Sequence, residues 1–168
     1  MKIKEFEVET WMTNHETRCK YNLTETCVSS LSLNDLQQLT QEDISTTIMN
    51  MTMDYGPIVG SQRLKRAILS LYQTGNESNI TITHGAINAN ELVMMSLLEP
   101  GDHVISLFPS YQQMYDFPLS LGCDVSFIQL NEKKQWMPTI EDFMHVMQDN
   151  TKMICLNSPN NPTGTCLP

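Results

Sequence analysis

The chain has 168 residues, 40% apolar and 17% charged, the size and composition of about one globular domain with a single core, which excludes disorder, collagen and coiled coil. Ten Lys and Arg against nineteen Asp and Glu leave a formal charge of -9, so no basic surface is expected to neutralise a run of phosphates, and nucleic acid is not an expected partner. The start carries Lys2, Lys4, Glu5, Glu7 and Glu9 where a secretory signal needs an apolar run, and no stretch approaches the ~18 apolar residues of a membrane helix; a cytoplasmic chain without a membrane partner is expected.

From the N-terminus to about residue 50 the pattern is weak and reads as an arm. One short helix is expected from Asn34, capped by Asn34, with Leu33, Leu36 and Leu39 on one face. The twelve methionines cluster at Met49, Met51 and Met53 and at Met94 and Met95, and read as core filler. Cys19, Cys27, Cys123, Cys155 and Cys166 are odd in number and nowhere spaced as C-x-x-C, which predicts reduced, mostly buried thiols and no metal site. Four sequons, at Asn22, Asn50, Asn76 and Asn79, carry meaning only in a secreted chain.

Beyond residue 50 helix and strand alternate. Residues 61–72 are an amphipathic helix, with Leu64, Ile68, Leu71 and Tyr72 on one side and Gln62, Arg63, Lys65 and Arg66 largely on the other. Residues 79–83 read as a strand, 86–98 as a helix apolar on most sides and stopped by Pro100-Gly101-Asp102. Strand 104–108, helix 110–121 despite Pro118, strand 125–130, helix 139–148 and strand 152–156 follow. Thr139 and Asp142 have capping-box spacing, and Ile140, Phe143, Met144 and Met147 are the expected buried stripe. Successive strand-helix-strand units predict an α/β fold, a three-layer αβα arrangement around a mostly parallel sheet, because parallel neighbours need crossover connections.

Sites in such sheets lie beyond the carboxyl ends of the strands. After 79–83 comes Thr83-His84-Gly85-Ala86-Ile87, a tight turn into a helix whose unpaired amides suit a phosphate, although a glycine there also serves turn geometry alone. His84 reads either as a further phosphate partner or as a satisfied core histidine. After 104–108 comes Pro109-Ser110-Tyr111, whose ring is either a platform for a flat ligand or a core tyrosine. After 152–156 comes a polar turn, residues 157–164, from which Asn161 can reach a ligand hydroxyl.

Taken together, Tyr55-Gly56-Pro57 with Gly60 and Leu64-Lys65-Arg66-Ala67, Thr83-x-Gly85-Ala86-x-x-Ala89, Leu98-x-Pro100-Gly101-Asp102, Pro109-x-Tyr111, and Asn157-x-Pro159-Asn160-Asn161-Pro162-Thr163-Gly164 resemble, in this order, the pyridoxal-phosphate-dependent aminotransferases of class I and II. The resemblance implies fold type I, with residues 1–50 an arm or small-domain segment and 51–168 an incomplete pyridoxal-phosphate-binding large domain. It implies that Gly85 and the amides of Ala86 and Ile87 hold the cofactor phosphate, that Tyr111 stacks on its ring, and that Asn161 bonds its phenolic oxygen. Tyr55 would reach the phosphate of a neighbouring subunit, which implies a homodimer acting on amino acids and keto acids.

In the family the Schiff-base lysine, the acidic partner of the ring nitrogen and the substrate-binding arginines follow the Asn-Pro-Thr-Gly turn. Here four residues follow Gly164, and Lys2, Lys4, Lys20, Lys65, Lys133, Lys134 and Lys152 match none of the family's motif for that lysine. The 168 residues alone are therefore expected not to transaminate, and to lack a neighbour for strand 79–83 and for one edge of strand 152–156. Open backbone of that kind favours aggregation or partner capture. The family's substrate-facing glycine has no counterpart in residues 21–30, which leaves specificity unassigned. The arm and Thr-His-Gly are similar to the capreomycidine synthase branch, which cyclises an arginine derivative. A lyase or cyclase on the same cofactor site, a non-catalytic truncated remnant that binds a partner chain, and a reversible cofactor-binding module are the alternatives.

Overall fold

The sheet forms on short runs rich in apolar and β-branched residues, around Val104-Ile105 and Phe127-Ile128. A computed structural model describes residues 2–24 and 27–167; Glu25 and Thr26, within the segment searched for a substrate-facing glycine, lie outside it, as do Met1 and Pro168. In chain order the helices are α1 Glu7–His15, α2 Leu33–Thr40, α3 Ile44–Met49, α4 Gln62–Leu69, α5 Gly85–Leu97, α6 Gln113–Leu121 and α7 Ile140–Val146. The strands are β1 His103–Phe108, β2 Asp124–Gln129 and β3 Thr151–Cys155. The residues up to Glu7, with those from Thr83 onward, pack as one compact unit, and Val8–Ile82 as another.

In the first unit β1 is central, in the order β2-β1-β3, and both pairings are parallel. Alternate β1 side chains serve opposite faces. Val104 joins Met94, Leu98, Phe117, Cys123 and Cys155, so α5 and α6 cover one face. Ile105 and Leu107 join Ile128 and Leu130 against Trp136, Phe143 and Val146, so α7 covers the other. This is the expected αβα layering, and full burial of each β1 aliphatic contributes roughly 1.5–3 kcal/mol. At the amino end of the sheet His103 is buried, its Nδ1 2.7 Å from Thr151 Oγ1 and its Nε2 2.9 Å from Ser126 Oγ. One imidazole thus satisfies polar groups of all three strands.

Several local expectations are corrected. No strand forms at 79–83: Asn79 ends a 3-10 turn, Glu77–Asn79, and residues 80–83 have no ladder partner among the described residues, which a strand needs. Helix α2 is capped by Ser32, not Asn34: Ser32 Oγ accepts from Asp35 N–H while Asp35 accepts from Ser32 N–H. Helix α4 stops at Leu69, and Lys65, expected on the polar side, is only 7% exposed. Helix α6 begins at Gln113, since Tyr111 and Gln112 form the turn before it. In α7 the capping box of Thr139 and Asp142 is present, yet Ile140, Met144 and Met147 are exposed; the i, i+3 pair Phe143 and Val146 is what meets the sheet.

The methionines are not mainly core. Met94 is buried, whereas Met49, Met51, Met53 and Met95 are exposed. Nor are the thiols mostly buried: no disulfide joins them, Cys123 and Cys155 are buried, and Cys19, Cys27 and Cys166 are exposed. Burial pushes the Cys155 thiol up to about 11. In the Val8–Ile82 unit the local supports are caps from Asp43 and Ser61 and an Arg66 Nε to Glu77 Oε1 contact of 2.7 Å. That carboxylate raises the Arg66 pKa, by hydrogen bond first and charge second. Among the described residues no helix is long and apolar enough to cross a membrane.

Candidate functional site

The carboxyl ends of β1 and β3 and the start of α5 form the rim the sequence pointed to. At α5, Gly85 has φ +81, a conformation that a side chain would strain, and Thr83 Oγ1 donates to Gly85 O at 3.1 Å. Helices α2, α3, α4 and α7 each receive a side-chain cap, but His84 gives none to α5. The side chain of His84 is exposed, so its core reading does not hold. Gly85, Ala86 and Ile87 are exposed as well, and first-turn amides of this kind carry the positive end of the helix dipole.

Two side chains assemble the rim: Gln113, which the sequence reading did not single out, and Asn160, which it took only as part of the 157–164 turn. Gln113, 3% exposed, donates from Nε2 to Ile87 O at 2.7 Å and accepts at Oε1 from Asn90 Nδ2 at 3.0 Å. It therefore ties the first turns of α5 to the segment that carries Tyr111. Asn160, also buried, donates from Nδ2 to Pro109 O at 3.1 Å and to Thr163 Oγ1 at 3.0 Å, which ties the 157–164 turn to the end of β1. Within that turn Asn161 N–H donates to Asn157 Oδ1 at 2.7 Å and Gly164 N–H to Asn160 O at 2.7 Å. The side chain of Asn160 is turned into the protein, while Asn161 is exposed.

Tyr111 is partly buried, its ring 5.8 Å from that of Phe6 at an interplanar angle of 61°. Neither signal for these contacts is visible in a linear reading: Phe6 is far away in the chain, and Gln113 is one glutamine of an adjacent pair. Two buried oxygens at this rim, Ser110 Oγ and Asn160 Oδ1, have no hydrogen-bond partner. An orphaned buried acceptor costs about 1–3 kcal/mol, which a polar ligand can relieve. Open helix amides, an aromatic ring, an amide on a braced turn and orphaned oxygens are a donor set that fits a flat phosphorylated ring. Tyr55 lies in the Val8–Ile82 unit, fully exposed at 101%, with its N–H bonded to Asp54 Oδ1 at 2.6 Å. Among the described residues no group of three metal ligands is present.

The protein-family model described as aminotransferase class I and II matches residues 22–168. A solved pyridoxal-phosphate-dependent aminotransferase from Streptococcus suis superposes with TM-score 0.92 at 42% identity, covering 99% of this chain and 46% of that one. Capreomycidine synthase from Streptomyces vinaceus is 25% identical over 161 residues, 95% of this chain and 41% of that protein. Aspartate aminotransferase from Pyrococcus horikoshii is 31% identical over 118 residues, 67% of this chain and 30% of that protein. The chain spans less than half the length of each of these relatives.

Proposed function

The chain belongs to the class I and II aminotransferase family, whose members depend on pyridoxal phosphate and share fold type I, and from that premise we propose that its rim is the cofactor-holding part of an enzyme acting on amino acids and keto acids. The observation that carries this reading is the bracing of the α5 turn, the Tyr111 segment and the 157–164 turn by Gln113 and Asn160. The Ala86 and Ile87 amides, approached closely at Gly85, take the phosphate; Tyr111 stacks on the ring; Asn161 donates to the ring oxygen. Bound there, the cofactor supplies an electron sink for amino-acid chemistry. The chain's own residues bind and orient it. Tyr55 serves the phosphate site of a second copy in a cytoplasmic homodimer. Residues 1–50 act as the arm and 51–168 as the front of the cofactor-binding domain.

The 168-residue chain does not transaminate by itself in this reading, because none of its seven lysines fits the family's Schiff-base motif. The test is a titration of the purified chain with pyridoxal phosphate, followed by addition of amino acids. Reversible binding that Tyr111→Ala and Asn161→Ala weaken, with no conversion of the cofactor to its amine form, is the expected result. Binding unchanged in both variants sinks the site, and amino-acid-dependent conversion sinks the claim of inactivity. A cyclase of the capreomycidine synthase kind is the second reading. The match to that protein extends over 95% of the chain, including the arm, against 67% for the aspartate aminotransferase.

A further inference from the structure

A short N-terminal segment stays on a distant helix only when side chains hold it there, since chain ends otherwise fray. Residues 4–7 are held at three points on the start of α6. The Gln112 side chain accepts from Glu7 N–H at 3.1 Å and donates to Glu5 O at 2.8 Å, so a single amide grips the backbone on both sides of Phe6. The same Nε2 lies 2.6 Å from Asp116 Oδ2, and Lys4 Nζ lies 3.7 Å from Asp116 Oδ1, a carboxylate only 5% exposed. Phe6 is partly buried while residues 2–5 are exposed, and its ring meets Tyr111 at 5.8 Å and 61°. Gripping residues 5 and 7 fixes the backbone at Phe6, and the rotamer its side chain takes from there meets Tyr111.

We propose that residues 4–7 form a strap that fixes the tilt of Tyr111, with Phe6 the positioning residue through which the strap sets how firmly a flat aromatic ligand is held at the rim. The proposal rests on the reading of this rim as a pyridoxal phosphate site. A platform ring held in advance does not have to be immobilised when the ligand arrives, and that ordering cost corresponds to roughly 3–10-fold in affinity. An edge-to-face partner supplies the hold without covering polar groups. Phe6 acts through Tyr111 and needs no contact with the ligand.

The experiment uses the full 168-residue chain with ring-labelled tyrosine, as wild type, Phe6→Ala, Phe6→Tyr, Gln112→Ala and Tyr111→Ala, and reads Tyr111 ring resonances without cofactor and the Kd for pyridoxal phosphate. Phe6→Ala and Gln112→Ala are expected to move the Tyr111 resonances and weaken binding roughly 3–10-fold, with Phe6→Tyr restoring both. Unmoved resonances in both variants overturn the strap. So does an unchanged Kd in both where Tyr111→Ala weakens binding. If Tyr111→Ala itself leaves the Kd unchanged, the cofactor reading fails, and with it the strap's role in holding that ligand; the resonances then decide only whether residues 4–7 orient the ring. Gln112→Ala keeps both rings and guards against a folding defect peculiar to Phe6→Ala.

Discussion

Strand β1 and helix α2 show two ways for this sequence to hold structure. Five of the six β1 residues are buried, whereas α1, α2 and α3 contain no buried residue at all. The strand is fixed by partners far along the chain, α5 and α6 on one face and α7 on the other. Helices α2 and α3 are fixed by neighbours: Ser32 with Asp35, and Asp43 with Thr46. Hydrogen bonds to these caps lower the Asp35 and Asp43 pKa values. Cooperative stability therefore concentrates around the sheet, and so do the segments that build the rim.

The sharpest way to break this contrast is to cut one side chain in each region. Ile105→Ala removes a fully buried side chain beside Leu107 and Ile128 and is expected to cost about 2–5 kcal/mol. Leu36→Ala in α2, at a more than one-third exposed position, is expected to stay within about 0.5 kcal/mol. Equal shifts in denaturant midpoint for the two would show that burial does not divide the chain as described. Next in size is His103→Ala, which leaves Thr151 Oγ1 and Ser126 Oγ without their shared partner and is expected to cost about 1–3 kcal/mol. Adding Ser126→Ala to His103→Ala should recover part of that loss, while Thr151 Oγ1 keeps the Gln148 N–H at 2.8 Å; failure to recover would place the cost in packing, not in hydrogen bonding.

Smaller again is Gly122→Ala. Gly122 ends α6 at φ +89, and an added Cβ comes within 3.3 Å of Pro100 Cβ. A loss of about 1 kcal/mol is expected from the left-handed conformation, measured as the urea midpoint, and a stabilised variant would contradict the turn geometry. Thiol chemistry draws the same contrast without mutation. Cys155, with its pKa pushed up by burial to about 11, should resist alkylation at neutral pH while Cys19 and Cys166 react. Mass mapping that finds Cys155 modified first would mean that β3 opens readily.

What the sequence made legible follows the same division. Strands 104–108, 125–130 and 152–156 could be read because β-branched and apolar residues were bounded by turn residues, and the structure moves each by about one residue. The rim followed from their carboxyl ends together with the family resemblance. Hidden from that reading were contacts whose partners are distant in the chain. Phe6 reaches Tyr111, Gln112 reaches Glu5 and Glu7, and Asn160 reaches Pro109, separations that no local period encodes. The stripe of Ile140, Phe143, Met144 and Met147 misled at all but Phe143 because apolar spacing marks a face without saying whether anything covers it; Phe143 and Val146 face the sheet, and Ile140 and the methionines are exposed. Residues 79–83 show the converse, strand-like in sequence, yet Asn79 ends a 3-10 turn and 80–83 have no ladder partner among the described residues.

The smallest expected effect isolates a local device inside the sheet-centred unit. Asp142 receives the Thr139 N–H at 2.8 Å and its hydroxyl at 3.0 Å, and lies 3.7 Å from Lys134 Nζ. Those Thr139 hydrogen bonds, and to a lesser degree Lys134, hold its carboxyl below the usual 3.8. A carboxylate with a depressed folded pKa stabilises the fold fully above its unfolded value and loses that contribution as pH falls through the folded one. The α7 cap should therefore be intact down to pH 3.8 and weaken only below it. Thr139→Val removes the hydroxyl donor and should move the Asp142 titration upward in carbon-detected NMR, whereas Lys134→Gln should barely shift it, because exposed ion pairs contribute little. A larger shift from Lys134→Gln than from Thr139→Val would assign the depression to charge, and the capping box would then hold α7 less than its geometry implies.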